Sequence, residues 1–295
     1  MTDHRNRKKN LEISKKSGGE KDRLFSFKNE KWRIYFLRII FVVSLVMFLI
    51  SVSKENEREK TFLKKQQQIK EQKIVEQKPI EKREVTGIAK LEILPEYKKL
   101  YEKNSDMVGW LRIKDTVIDY PVMQTMEDEQ YYLQKNFDKE YDENGCLIMD
   151  TDSVVGQGKE EDGYEEEQKP STNLLIHGHA MKSGSMFGNL NLYQDEEYGR
   201  EHHIIYFDSI YEKREYEVIS VFYSQVFYRH DEVFKYYNFF QADTQEEFDN
   251  WYKNIKKMSL YDTGVNACFG DEFITLSTCS YHVEDGRFVV VGKRK

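Results

Sequence analysis

The uneven distribution of apolar residues along the chain most constrains what it can fold into. Apart from one apolar run, the stretch before residue 88 is dominated by Lys, Glu and Gln and has little material for a hydrophobic core. The remaining residues, 88–295, form a stretch of the length typical of one domain. We therefore predict a single folded domain over residues 88–295.

Within this stretch, short apolar and β-branched segments alternate with turn signals, and long helical patterns are few. This pattern predicts a mainly β fold in which eight strands form a closed or nearly closed barrel. The predicted strands are residues 109–113, 116–122, 145–149, 173–178, 203–208, 216–223, 272–278 and 287–293. We expect residues 125–137 to be helical or irregular and residues 156–170 to form an acidic, solvated loop.

Two helices are expected beside the strands. Thr244 and Glu247 have the spacing of a capping box, and apolar residues then recur every three or four positions as far as Met258. One face of that helix is apolar and must pack against the domain. A shorter helix is predicted to begin near Pro95.

The strongest chemical signal is Cys279, which ends an apolar strand in the sequence Thr-Leu-Ser-Thr-Cys. A short loop and a second strand follow, and an antiparallel hairpin would return Arg287 to the neighbourhood of Cys279. An arginine beside a thiol can stabilise the thiolate, or the oxyanion that forms when the thiol attacks a carbonyl. The pair indicates cysteine acyl transfer, and a structural thiol beside a surface arginine is the alternative.

A cysteine nucleophile also needs a proton carrier, and His179 lies just past a predicted strand end, after Gly178. His177 belongs to the strand itself and is expected to be a packed, hydrogen-bonded partner. A metal site at this histidine pair lacks a carboxylate or Cys at ligand spacing, and residues 202–203 complete it poorly. We therefore expect no metal here, and acyl transfer by a cysteine needs no cofactor.

These residues resemble the sortases, the cell-surface cysteine transpeptidases of Gram-positive bacteria. The sortase TLxTC motif stands here at residues 275–279, followed by Arg287 and preceded by His179. The resemblance implies an eight-stranded sortase barrel with Cys279 as nucleophile, His179 as general acid and base, and Arg287 as oxyanion and substrate ligand. Ser277 in the motif, and the helix inserted before the strand that bears the cysteine, are most similar to class B.

The resemblance also implies a reaction and its partners. A secreted protein with a C-terminal sorting motif would form a thioacyl intermediate with Cys279, which an amine of the peptidoglycan precursor would then resolve. We expect Ser277 and Thr278 to add contacts to the substrate. Two other functions stay open: pilin polymerisation through a Lys amine, and a non-enzymatic surface adhesion or sensor module with a structural cysteine.

The apolar run before the domain predicts a membrane anchor. Residues 39–52 are apolar except for two serines, and residues 32–37 extend the run toward the length that spans a bilayer. Residues 1–33 carry eleven Lys and Arg against five Asp and Glu, which favours a cytoplasmic N-terminus. A small-residue cleavage site does not follow the run, so we expect an uncleaved signal anchor.

The predicted organisation is a cytoplasmic basic tail at 1–31, a single-pass transmembrane anchor at 32–53, a charged stalk at 54–87 and an extracellular catalytic domain at 88–295.

The chain has three cysteines, so at least one of them has no disulfide partner within the exported chain. Whether Cys146 and Cys268 pair is left open by the sequence.

Overall fold

The computed structural model describes residues 3–74, 92–156 and 169–295, with side chains described for residues 31–73 in the first range. The chain divides into two compact units, residues 1–61 and residues 62–295. Helix α1, Asp3–Ile74, makes up the described part of the first unit and continues into the second. Its segment Lys31–Lys73 contains a window of mean hydropathy 2.5 and is, by length and composition, able to cross a membrane.

The second unit is built on a closed barrel of eight strands, as the sequence predicted. Around the barrel the order is β1-β2-β3-β4-β7-β8-β6-β5, and β5 pairs with β1 to close it. Pairs β2/β3 and β4/β7 are parallel, whereas the other neighbours are antiparallel. The strands are β1 Met107–Ile113, β2 Asp119–Met123, β3 Leu147–Met149, β4 Asn173–Gly178, β5 Ile204–Ser209, β6 Lys213–Gln225, β7 Phe273–Cys279 and β8 Gly286–Arg294.

Each predicted strand corresponds to an observed one, with small differences at the ends. The largest difference is β6, which is longer at both ends than the predicted 216–223. Residues 125–137 are irregular and contain turns. Most of the predicted acidic loop, residues 157–168, lies outside the described residues.

Alternation along the strands separates the barrel interior from its outer face. Leu174 and Ile176 of β4 and Leu276 of β7 belong to the interior core. Leu175 of β4 and Val289 of β8 instead point outward into a second apolar cluster. The outer face of β4, β7 and β8 is therefore covered in part by other elements.

Three short helices of the described chain surround the barrel, and the longest of them supplies that cover. Helix α2, Pro95–Lys103, buries Tyr97 and Leu100 against the β1 side. A six-residue helix α3, Glu196–Glu201, precedes β5. Helix α4, Gln245–Met258, has the predicted Thr244 and Glu247 capping box and buries Phe248, Trp251 and Ile255 in the cluster over β4, β7 and β8.

The last turns of α1 belong to this second unit. Phe62 is 2 % exposed and packs with the interior core, its ring centroid 6.3 Å from that of Tyr120. Ile69 is buried beside α2, and the Lys70 ammonium lies 3.1 Å from the Asp119 carboxylate. The sequence predicts a stalk at residues 54–87. In the structure, Phe62 and Ile69, seven positions apart, give the last turns of α1 a buried face. The predicted domain start at 88 lies outside the described residues and stays a prediction.

We expect Phe62→Ala to lower the free energy of unfolding of a soluble fragment, residues 54–295, by about 3 kcal/mol, because a buried aromatic ring is removed from a packed site. Urea unfolding followed by tryptophan fluorescence measures this loss. Leu63→Ala is the matched control, since Leu63 is 53 % exposed on the same helix. Equal stability of the two variants would show that α1 does not contribute to the core.

Candidate active site

The parallel pairing of β4 with β7 brings two predicted site residues together. His177 is the register partner of Ser277, and Gly178 is the partner of Thr278. Because parallel strands end at the same edge of a sheet, His179 and Cys279 follow side by side, on strands roughly 5 Å apart. The predicted proton carrier and nucleophile are therefore neighbours.

The β7/β8 hairpin adds the third predicted residue. It is antiparallel, and Cys279 is the register partner of Arg287. Cα atoms of such partners lie roughly 5 Å apart. The structure thus places His179, Cys279 and Arg287 at the ends of three neighbouring strands, at one edge of the barrel.

All three side chains line one cleft on the outer face. Ser277 and Val289 point outward, and alternation gives Cys279 and Arg287 the same direction. The cleft has a volume of about 400 Å³, and Cys279 is exposed at it. A substrate can therefore reach the thiol from solvent.

A backbone carbonyl orients the imidazole of His179. Nε2 of His179 lies 2.7 Å from the carbonyl oxygen of Leu133. A carbonyl oxygen can only accept, so Nε2 carries a hydrogen and donates it. Nδ1 is left as the ring nitrogen that can exchange a proton with a reacting group.

The arginine is also held by backbone acceptors. Nη1 of Arg287 donates to the carbonyl oxygens of Asp285, at 3.2 Å, and Gly286, at 3.0 Å. A guanidinium has five N–H donors, so these bonds fix its plane and leave other donors for a ligand.

Gly178 sits between the two histidines because a side chain does not fit there. A Cβ at this position would lie 2.6 Å from Cδ2 of Leu147 and 2.6 Å from Cδ2 of Phe187. Both neighbours belong to the interior core. Without a side chain at 178, the end of β4 packs closely against Leu147 and Phe187 in the barrel interior. This packing fixes the backbone position that precedes His179.

The two predicted substrate-contact residues have hydroxyls that already bind protein groups. Oγ1 of Thr278 donates to the Gly178 carbonyl oxygen at 2.7 Å, and Oγ of Ser277 lies 2.7 Å from the hydroxyl of Tyr236. Both residues are buried but line the cleft. Burial raises the pKa of Tyr236 to about 12, so its hydroxyl stays protonated at neutral pH.

Two carboxylates lie near His177, the histidine inside β4. Nε2 of His177 is 3.4 Å from Oδ2 of Asp150, and ligand atoms of Glu129, Asp150 and His177 lie within 4.8 Å of one another. Burial, and then the charge of Asp150, raises the pKa of the Glu129 carboxyl. Among the described residues, these three are a set that can hold a metal ion. Sequence spacing had indicated no carboxylate near His177, and the fold supplies two from distant positions.

The histidines at 202 and 203 are engaged elsewhere. Nδ1 of His202 lies 3.1 Å from the Lys114 carbonyl oxygen, and Nδ1 of His203 lies 2.8 Å from that of Arg200.

The three thiols are free. Cys146 is buried at the cleft, and burial raises its pKa above the usual range for a thiol. Cys268 is exposed on the loop before β7 and lies beside Asp271. Of the three, Cys279 is the thiol that is both exposed and at the cleft.

Several groups that line the cleft, or that lie beside residues lining it, escaped the sequence analysis. The Leu133 carbonyl and Glu129 lie in an irregular segment without a periodic pattern. Asp150 had a usable signal, because it directly follows the strand that ends at Met149. Tyr236 had another, because it lies in an aromatic-rich segment between β6 and α4.

Comparison with known proteins identifies relatives over most of the barrel domain. A sortase-domain family model matches residues 111–295. Sortase B of Listeria monocytogenes is 31% identical over 204 residues, covering 68% of this chain and 75% of that protein. Sortase B of Staphylococcus aureus is 26% identical over 205 residues, with the same coverage. The crystal structure of sortase B from B. anthracis in complex with AAEK1 is 28% identical with a TM-score of 0.62, covering 81% of this chain and 98% of that one.

We expect a small alkylating agent at neutral pH to modify Cys279 and Cys268 in the folded protein and to spare Cys146, because Cys146 is buried and its thiol pKa is raised. Peptide mapping by mass spectrometry identifies the modified residues, and unfolding in urea should release the third thiol. Cys268→Ala is the control that leaves Cys279 as the single reactive site. Modification of Cys146 ahead of Cys279 would contradict the observed burial.

Proposed function

We propose, since this chain belongs to the sortase family of transpeptidases, that it cleaves a C-terminal sorting motif of secreted proteins and joins them to an amine of the cell-wall peptidoglycan. The observation that carries the proposal is the meeting of His179, Cys279 and Arg287 at the edge of one cleft. Class B relatives support the same assignment.

In the first step, Cys279 attacks a backbone carbonyl of the sorting motif. A bond forms between Sγ and the carbonyl carbon, and the negative charge on the carbonyl oxygen is stabilised by the free N–H donors of Arg287. The C–N bond then breaks, and the proton of the thiol passes through Nδ1 of His179 to the departing amine. The products are a thioacyl enzyme and the released C-terminal peptide.

In the second step, an acceptor amine attacks the thioacyl carbon. The C–N bond forms, the C–S bond breaks, and His179 takes a proton from the amine and returns it to the sulfur. Arg287 stabilises the second oxyanion. The enzyme is regenerated, and the secreted protein is attached to the acceptor through an amide bond. In both steps His179 transfers the protons and Arg287 stabilises the negative charge.

We assign supporting roles to the two residues before the cysteine. The Thr278 hydroxyl donates a hydrogen bond to the carbonyl oxygen of Gly178 and so holds the ends of β4 and β7 together. The backbone of Thr278 is then the part of the residue that can contact substrate. The Ser277 hydroxyl, shared with Tyr236, faces the cleft and can accept or donate to the motif.

We expect Cys279→Ala to abolish the thioacyl adduct, whereas Arg287→Ala and His179→Ala should each slow adduct formation by about 10²–10³-fold, the range found when oxyanion donors and general acids are removed. Quenched peptides bearing candidate sorting motifs, with intact-mass detection of the adduct, provide the measurement. Cys268→Ala is the matched thiol control and should retain full activity.

The same experiment separates the proposal from a non-enzymatic module. If wild type forms no adduct with any motif and Cys279 resists alkylation, the cysteine is structural. If the adduct forms but is resolved only by a Lys side chain of a pilin subunit, the protein is a pilin polymerase and the cell-wall acceptor is excluded.

We further propose that residues 32–53 anchor the protein in the membrane with residues 1–31 in the cytoplasm and the barrel outside. The apolar side chains of this segment are exposed along α1, which is compatible with a lipid environment. The excess of Lys and Arg before the run sets the orientation.

Full-length protein should therefore stay in the membrane fraction after alkaline carbonate extraction, and a fragment of residues 54–295 should be soluble. Protease added to intact protoplasts should degrade the barrel and spare an N-terminal tag. Release of the full-length chain by carbonate would contradict the anchor.

A further inference from the structure

The turn between β7 and β8 ends in two residues whose backbone is tightly restricted. Asp285 has a φ of 52°, in the left-handed region that β-branched residues avoid. A Cβ at Gly286 would lie 2.3 Å from the carbonyl oxygen of Ser280 and 2.9 Å from that of Val283. Both contacts are with backbone atoms, so rotation of a side chain cannot relieve them. The chain therefore has one backbone path directly before Arg287.

That path directs two carbonyl oxygens at the guanidinium. The carbonyls of Asp285 and Gly286 accept from Nη1 of Arg287 at 3.2 and 3.0 Å. Nη1 carries two hydrogens, one for each of these acceptors. In the part of the chain that the structure describes, Nε and Nη2 form no hydrogen bond and the guanidinium forms no ion pair. The turn thus holds one nitrogen and leaves the edge formed by the other two for a ligand.

Each of the two carbonyls also accepts from a neighbouring segment. The Gly286 oxygen accepts from the Ser280 N–H at 2.8 Å, and Ser280 directly follows Cys279. The Asp285 oxygen accepts from the Val226 N–H at 3.0 Å, just after β6 ends. The Gly286 oxygen is therefore bonded both to the residue after the nucleophile and to the guanidinium. A shift of this one atom changes the separation between the thiol and the guanidinium.

We propose that Asp285 and Gly286 are positioning residues that fix the guanidinium of Arg287 relative to Cys279 for stabilisation of the oxyanion. The inference rests on the proposed function. An oxyanion donor acts at about 2.7–3.1 Å from the developing charge, so a small displacement removes much of its effect. The backbone carbonyls do the positioning, and the Asp285 carboxylate is not required for it.

A turn with a merely structural role makes a different prediction. Its disruption would add to the loss caused by Arg287→Ala, because stability and the thiol would suffer independently of the guanidinium. Residues that act through the guanidinium cause no further loss once it has been removed. Double variants therefore distinguish positioning from general support of the fold.

The test uses full-length enzyme in detergent and the quenched peptide that gives the most thioacyl adduct with wild type. We expect Gly286→Ala and Asp285→Val each to lower the maximal rate of adduct formation by about 10–100-fold, with the peptide KM little changed. Combined with Arg287→Ala, each should slow the reaction by no more than about twofold beyond Arg287→Ala alone. Rates and KM are measured by intact-mass detection of the adduct.

Two further variants serve as controls. Asp115 also has a left-handed backbone, with a φ of 60°, and does not line the cleft, so Asp115→Val should keep the wild-type rate. Asp285→Gly retains access to the left-handed path and removes the carboxylate, so it should react within about threefold of wild type. Urea unfolding and alkylation of Cys279 verify that each variant is folded with an accessible thiol. If Gly286→Ala does not fold, Asp285→Val and its double variant decide the question.

Three results would overturn the inference while leaving the proposed function intact. One is a wild-type rate in folded Gly286→Ala and Asp285→Val. Another is a loss in the double variants that multiplies with that of Arg287→Ala, which would make the turn structural. The third is an Asp285→Gly enzyme as slow as Asp285→Val, which would assign the role to the carboxylate. The absence of any adduct in wild type would instead overturn the proposed function, and this inference with it.

Discussion

The parallel pairing of β4 with β7 is the constraint on which the candidate active site depends. These strands are separated in sequence by two other strands and by helices α3 and α4, yet their register sets which residue stands next to Cys279. Two side-chain hydrogen bonds along the pair favour that register: Thr275 donates to Asn173 at 2.8 Å in the core, and Thr278 donates to the Gly178 carbonyl at the rim. A slip of one residue would turn the side chains of a strand to the opposite face and separate the histidine from the thiol. The motif threonines therefore contribute to the site mainly by holding strands in place.

The barrel supplies the floor of the cleft, and long connections supply its sides. The segment between β2 and β3 brings the Leu133 carbonyl to His179 and Glu129 to the cleft, whereas the segment between β6 and α4 brings Tyr236 to Ser277. The floor is built by regular strand pairing, and the sides are built by irregular backbone. Differences in these two connections between related chains can thus alter what enters the cleft without moving the thiol, the imidazole or the guanidinium.

Sequence alone was sufficient where the signal was local. The hairpin of β7 and β8, the strand before His179 and the capping box of α4 each depend on a few consecutive residues, and each was predicted correctly. The carboxylates near His177 could not be found this way, because Glu129 and Asp150 meet only after the barrel closes. The packing of residues 62–74 was missed for a related reason, since two apolar residues in a charged helix give a weak pattern until a partner surface is known.

Gly178 restricts which substitutions this part of the barrel can accept during evolution. Leu147 and Phe187 occupy the space that any larger residue at 178 would need, and they come from separate parts of the chain. A replacement of the glycine requires both of those side chains to give way, and smaller residues at the two positions would in turn leave a void while the glycine persists. Substitutions at positions 147, 178 and 187 are therefore expected to occur together or not at all. Few sequences can replace this part of the barrel interior, which lies beneath the strand end next to Cys279.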